Sequence, residues 1–175
     1  MSLSDSVADL EFTVESVSLA RRASDTSSGF ERVTTTVHLR GPGERGRGED
    51  VTYDTEDHDA LFGDTIPDDP TPIPASETAA GDLAEEFHGT WTLAEFSDHL
   101  EDVELFPAGG PQREPSHHYR RWGVESAALD LALRANDTHL GAALARDRDP
   151  VEFVASTRLG DPPTTERVET ISERV

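Results

Sequence analysis

From residue 9 onward hydrophobic and polar residues alternate. Leu10, Phe12 and Val14 share one parity, the period-two signature of a strand with one buried face, and the parity then moves to Val17 and Leu19. The shift predicts a bulge or twist near Ser16. Residues 21–29, with three serines and a glycine, read as a flexible loop. Across 31–40 the alternation is at its cleanest, with Val33, Thr35, Val37 and Leu39 on one face and Thr34, Thr36, His38 and Arg40 on the other. A tight connection over 41–46 leads to a third predicted strand at 48–53, completing an antiparallel meander.

After the meander the period changes. Residues 63–80 are rich in Pro, Asp and Thr and include DDPTPIP, which predicts a long flexible loop contributing nothing to a core. Thr92 and Glu95 fit a capping box, opening a helix that carries Leu93, Phe96, Leu100 and Val103 on one face. A second loop spans 106–115. In 119–135, Trp122, Ala127, Ala128, Leu129, Leu131, Ala132, Leu133 and Ala135 cover more than half of a helical wheel, which predicts a helix buried on several sides. Asn136 and Asp137 tolerate the left-handed cap conformation and stop it. A short apolar turn over 140–144, a strand over 151–155 and a last helix from about 162, carrying Val168, Ile171 and Val175, complete the prediction.

Strands followed by helices indicate an α+β fold: a three-stranded antiparallel meander, then a helical bundle, in a domain spanning 1–149. Residues 150–175 read as a strand and helix resembling the start of a β/α barrel, a parallel architecture whose remaining strands this sequence does not supply.

Charge narrows the function classes. Thirty-six acidic residues against fifteen basic ones give a net charge of −21, and every basic residue is Arg. The carboxylates are scattered through predicted helices, strands and turns. This pattern fits a protein of salt-loving cells, where concentrated salt screens carboxylate repulsion, better than a nucleic-acid mimic, which needs one concentrated acidic face. Direct nucleic-acid binding is disfavoured because no basic stretch is visible along the chain. Cys is absent, so no disulfide or thiolate chemistry is available. With neither a membrane-length apolar run nor a signal peptide, the expectation is a cytoplasmic protein with no membrane partner. Gly41, Gly43 and Gly46 spell G-x-G-x-x-G, but a strand follows where dinucleotide binding needs a helix, and Glu44, Glu49 and Asp50 would repel phosphate.

The meander, the GEDVTYD segment at 48–54, the run from Trp122 through Glu125 to Leu133, the small-residue turn at 140–144 and V-x-F-V-x-S at 151–156 resemble the N-terminal half of an enolase-superfamily protein of the mandelate racemase and muconate-lactonising type. The resemblance implies an α+β cap whose two loops, here 24–32 and 49–59, close over a substrate. In complete members of that superfamily a barrel supplies the carboxylates that hold Mg2+ and a Lys or His base that removes a proton α to a carboxylate. On this chain the implied substrate-binding residues are Phe30, Arg32, Glu49, Asp50 and Tyr53. Each has a plainer reading: Glu49, Asp50 and Tyr53 as a solvated strand end, Phe30 as packing against the sheet, Arg32 as an ordinary ion pair.

No catalytic residue, metal ligand or cofactor is expected within the chain, since the barrel strands and any Lys base are missing; activity is not expected from it alone. The partner implied is a separately encoded or missing barrel portion. The alternative is a stand-alone, non-catalytic binding or interaction module that covers its apolar face by self-association. His117 and His118 are adjacent and do not converge as helical metal ligands do. Glu125 and Asp130 are expected to pair with Arg120, Arg121 or Arg134 at helical spacing. Ser126 has no base or oxyanion partner nearby in sequence.

Overall fold

The computed structural model describes residues 3–26, 29–106, 109–146, 162–166 and 168–169. Their fold is mixed α+β with antiparallel sheets and several helices. After a short helix α1 (Leu3–Val7) come β1 (Glu11–Val14), β2 (Ser16–Asp25), β3 (Glu31–Arg40) and β4 (Arg45–Asp50). Helix α2 (Thr55–Phe62), a two-residue strand β5 (Ile73–Pro74), α3 (Gly81–Glu85) and β6 (Gly89–Thr92) follow. Helices α4 (Leu93–His99), α5 (Ser116–Ala135) and α6 (Leu140–Ala143) complete the order. The predicted strand at 151–155 lies outside the described residues, as does most of the predicted last helix.

The meander is present as β2, β3 and β4, extended on its far side by β5. Its boundaries differ from those predicted. The parity shift at Ser16 is a change of sheet: β1 pairs with β6 in a separate two-stranded sheet, and Glu15 N donates to Arg40 O at 2.7 Å as the chain crosses over. Strand β2 runs on through Ser24 to Asp25, because a long partner, β3, offers a ladder as far as Glu31. The third strand starts at Arg45, earlier than expected.

The segment 63–80 is more ordered than its composition suggested. Ile73 and Pro74 pair with Leu19 and Ser18, and Ala75 and Ala80 are buried in the main core. Side chains as small as Ala fill space without requiring an apolar run, so a low-hydrophobicity stretch can still seal a core.

Helix α5 lies across β4 at backbone contact. A Cβ on Gly46 would sit 2.1 Å from Ala127 O, and one on Gly48 would sit 1.9 Å from Gly123 O. Reciprocally, a Cβ on Gly123 would come within 2.8 Å of Asp50 N. Glycine on both surfaces lets Ala127 and Leu131 follow at helical spacing down the same stripe, and Asp130 Oδ2 accepts the otherwise unpaired Arg47 N–H of the edge strand at 3.0 Å. Contrary to the expectation of burial on several sides, Trp122 is 58% exposed. Asn136 and Asp137 do end the helix, with Asp137 at φ 50°.

At the other side of α5, Phe96 is fully buried and meets Phe12, Phe87 and Trp91 edge-on at 5.5, 5.8 and 5.7 Å. Helix α4 is set there by a complete capping box between Thr92 and Glu95. Among the described residues no helix is long and apolar enough to cross a membrane.

Candidate functional site

Strand β4 ends where three segments meet: the β2–β3 hairpin, the start of α2 and the loop before α5. Its alternation turns Asp50 inward, and Thr52 follows it into the interior; both are 0% exposed. Asp50 Oδ1 accepts from Thr52 N at 2.9 Å and from Thr52 Oγ1 at 2.5 Å. Asp50 Oδ2 accepts from Arg120 Nε at 2.8 Å. Arg120 is buried on α5 and spends its remaining donors on Leu105 O, at 3.0 Å, and on Asp57 O. Its guanidinium carbon stands 3.8 Å from the Phe106 ring centroid. The buried carboxylate and guanidinium are thus paired through one bond and further satisfied by Thr52, Leu105 O and Asp57 O, as buried charges must be.

His58 of α2 completes this network. Its Nε2 lies 2.9 Å from Thr52 O, a carbonyl that can only accept, so Nε2 carries the proton. In the neutral ring, which the lowered pKa favours, Nδ1 accepts from Thr35 Oγ1 at 3.0 Å. Burial holds the His58 pKa below its ordinary value; Arg120 and Arg32 add to this, while Asp50 and the bond to Thr52 oppose it. The 3.8 Å approach of Nδ1 to Asp50 Oδ2 is therefore a contact and not an ion pair.

Above this anchor is an exposed mouth. Thr26 closes the β2–β3 hairpin, its N and Oγ1 donating to Phe30 O at 2.9 and 2.8 Å, with Gly29 at φ 81°. That turn presents Phe30, 45% exposed, with its ring centroid 6.4 Å from that of Tyr53, itself 56% exposed. Arg32 and Arg113 place guanidinium carbons 5.2 and 4.9 Å from the Tyr53 centroid. Arg113 also pairs with Asp54 at 3.0 Å, while Asp54 Oδ2 is buried with no donor among the described residues. The loop before α5 is tied in where Gln112 N donates to the Asp57 carboxylate at 3.1 and 3.3 Å.

The five residues singled out from sequence therefore separate into four roles. Phe30 and Tyr53 come together as an exposed aromatic pair. Arg32 stands beside them, but its guanidinium is committed to the carbonyls of Val51, Thr52 and Tyr53, the last two at 2.7 and 3.2 Å. It shapes the loop and makes no ion pair among the described residues. Glu49 lies on the exposed face of the sheet, where its Oε1 accepts from Thr34 Oγ1 at 2.7 Å. Asp50 is not a solvated strand end, because the register puts it on the α5 side. Asp54, Asp57, His58, Arg113 and Arg120 were not singled out for this site. The pattern DTEDHDALF at 54–62 could have signalled α2, since Leu61 and Phe62 are buried on the same helix as Asp57 and His58.

Predicted helical pairs do form, Arg121 with Glu125 at 3.0 Å and Arg134 with Asp130 at 2.9 Å. His117 stacks edge-on against Phe106 at 4.9 Å. Among the described residues no three His, Cys, Asp or Glu side chains are placed to hold a metal ion. Asp50 is already saturated, so this donor set does not fit the Mg2+ implied for a complete enolase-superfamily protein.

No curated protein and no solved structure matches the chain. Residues 5–143 match the family described as "Domain of unknown function (DUF8230) N-terminal domain". That match takes in the meander, the anchor, the mouth and all of α5, and the chain belongs to this family.

Proposed function

We propose that the chain is the ligand-selecting cap of an enolase-superfamily-like protein, shaping a site for a small carboxylate without performing proton abstraction itself. The observation that carries this reading is the meeting of Phe30 and Tyr53 at 6.4 Å. They come from the two loops, 24–32 and 49–59, that a cap of this kind would lay over its ligand. Around them are the functions such a ligand requires: ring faces for its apolar part, the exposed Arg113 guanidinium for its carboxylate, and Asp54 Oδ2 as an acceptor for a ligand hydroxyl or amine. The buried Asp50–Arg120 pair holds the 49–59 loop to α5, and Arg32 ties the 24–32 hairpin to that loop through the carbonyls of Val51, Thr52 and Tyr53. The family's description as an N-terminal domain agrees with a cap that precedes a second domain.

The test is NMR in concentrated KCl with aromatic, cyclic and sugar-derived carboxylates, on the chain alone and joined to the second domain that the family's description as an N-terminal domain implies. In the joined protein, carboxylates should shift the Phe30 and Tyr53 ring resonances, and α-proton exchange into D2O should occur only there. Tyr53→Ala and Arg113→Ala should each lower the joined protein's kcat/KM, leaving the chain's stability nearly unchanged. Proton exchange by the chain alone, or ligand shifts confined to other surfaces, overturns the reading.

A second reading, a self-associating interaction module, draws support from the groove between α4 and α5. Val7, Leu93, Phe96, Trp122 and Leu129 help line a space of about 710 Å³ beside the exposed indole. On that reading Trp122→Glu converts a dimer to a monomer by light scattering; a wild-type chain that is already monomeric in concentrated salt removes it.

A further inference from the structure

At the Arg45 end of β4, roughly 17 Å along the strand from Asp50 at about 3.3 Å per residue, lies a second concavity of about 520 Å³. Arg40, Arg45, Arg47 and Arg134 line it together with Glu15 and Glu44 and the turn glycines Gly41 and Gly43. Its volume falls in the range of small-ligand sites.

The arginines reach it for reasons of register. Arg40 and Arg45 are directly opposed across the β3–β4 ladder, and Arg47 is opposed to His38. Because Gly46 and Gly48 are pressed against α5, Arg45 and Arg47 must both face the other way. Arg134, from α5, is the one member already paired, with Asp130.

In a chain with 36 carboxylates and 15 basic residues, unpaired arginines are unexpected. Elsewhere Arg21, Arg113, Arg120 and Arg121 pair with carboxylates and Arg32 with carbonyls, whereas Arg22 stands alone among the described residues; the pocket differs in gathering three such arginines in one concavity. The side chains of Arg40, Arg45 and Arg47 make no hydrogen bond or ion pair among the described residues, although Glu15 and Glu44 line the same space. Like charges directly across a ladder are unfavourable, so Arg40 against Arg45 costs stability that a counter-charge would recover. Beneath them the buried His38 leaves Nδ1 without a partner. Burial, and then Arg45, Arg47 and Arg40, hold its pKa below the ordinary value, so the positive charge of the pocket comes from the arginines.

We propose that this pocket binds a small, multiply charged oxyanion through the guanidinium groups of Arg40, Arg45 and Arg47. Guanidinium forks suit the paired oxygens of phosphoryl and carboxylate groups alike. Glu15 and Glu44 would accept from hydroxyl or ammonium groups on the remainder of the ligand. A long polyanion does not fit, because the surrounding −21 chain repels an extended row of phosphates and the arginines occupy one concave spot. The site does not depend on the cap reading, since it shares no residue with the mouth at Tyr53.

Inorganic phosphate, a simple phosphate ester, citrate and a short single-stranded DNA are titrated at ionic strength held constant with KCl, with the chain followed by NMR. Saturable shifts of the 38–47 amides and the His38 ring with phosphate and the ester, but not citrate, identify a phosphoryl site; citrate alone identifies a polycarboxylate site, and both outcomes uphold the proposal. Arg45→Gln and Arg47→Gln are exposed substitutions that keep the fold, checked by an unchanged spectrum elsewhere. Each should weaken binding roughly 10-fold or more, as loss of a charge-assisted bond does, whereas Arg22→Gln should not. Absence of saturable binding by any small anion, binding indifferent to both substitutions, or binding by DNA alone overturns the proposal.

Discussion

Asp50 and Arg120 show what a buried charge pair requires. Each oxygen of Asp50 has a donor, and each nitrogen of Arg120 has an acceptor. Removing one partner leaves the other charged, dry and unpaired. Asp50→Asn should therefore cost about 3–5 kcal/mol in urea denaturation. The double variant Asp50→Asn/Arg120→Met should cost clearly less than the two single losses added together; simple additivity would mean the pair is not coupled. His58 in the same network gives a pH signature. Its folded pKa lies below the ordinary 6.5, so below that value the unfolded chain binds the proton more readily. The stability due to its neutral form is complete above 6.5 and is lost as pH falls through the folded pKa. His38 is shifted in the same direction and contributes a similar slope. Reduced carboxylate repulsion opposes both on acidification, so the measurement is a difference: between pH 7.5 and 5.5, taken as roughly one unit either side of the ordinary histidine value, His58→Gln should lose less stability than wild type. Parallel pH profiles would mean that His58 is not held neutral.

The contact of β4 with α5 is the element on which both sites depend, since it aims Asp50 inward and Arg45 and Arg47 outward. Gly48→Ala would drive a methyl group into Gly123 O, where backbone and not a movable side chain must give way. A loss of about 3 kcal/mol or more is expected, at the upper end of overpacking costs. Gly110→Ala, which meets nothing within 4 Å, should stay within about 0.5 kcal/mol of wild type. Equal midpoints for the two variants would dissociate α5 from β4. This contact also shows what the sequence could reveal. The alternation of Val33, Thr35, Val37 and Leu39 and the Thr92–Glu95 box state local rules, and β3 and α4 follow them. The inward turn of Asp50 depends on which face of β4 receives α5, a long-range choice written only in Gly46, Gly48 and Gly123. Gly46, read locally with Gly41 and Gly43, instead completes the spacing of a nucleotide loop. Arg120 reads as one half of an Arg pair on a helix surface, yet Arg120 is buried and Arg121 reaches Glu125. The arginine pocket was illegible because Arg45 and Arg47 are flanked by Glu44 and Glu49 along the chain, and Arg134 arrives from a distant helix.

At the scale of the whole molecule the governing quantity is the net charge of −21. Only a minority of the carboxylates are matched by an Arg, so at low ionic strength the folded chain concentrates like charges that the expanded chain would spread apart. If, as proposed, the chain is adapted to salt, that repulsion is the term salt removes. The Debye length falls from about 10 Å at 0.1 M to about 3 Å at 1 M, so most of the screening should be complete by molar KCl. The urea midpoint should rise steeply with KCl up to about that concentration and then flatten. Replacing several exposed carboxylates that have no Arg partner among the described residues, such as Glu77, Asp82 and Glu114, by Gln or Asn should raise the low-salt midpoint and shallow the slope together. Sulfate raises stability by exclusion from the surface as well as by screening, so KCl is the appropriate salt for this comparison. The buried pair of Asp50 and Arg120 is shielded from ions and sets no slope of its own. A midpoint that falls with KCl would show exposed ion pairs, such as Arg134 with Asp130, outweighing the repulsion, and the salt-adaptation reading would fail with it.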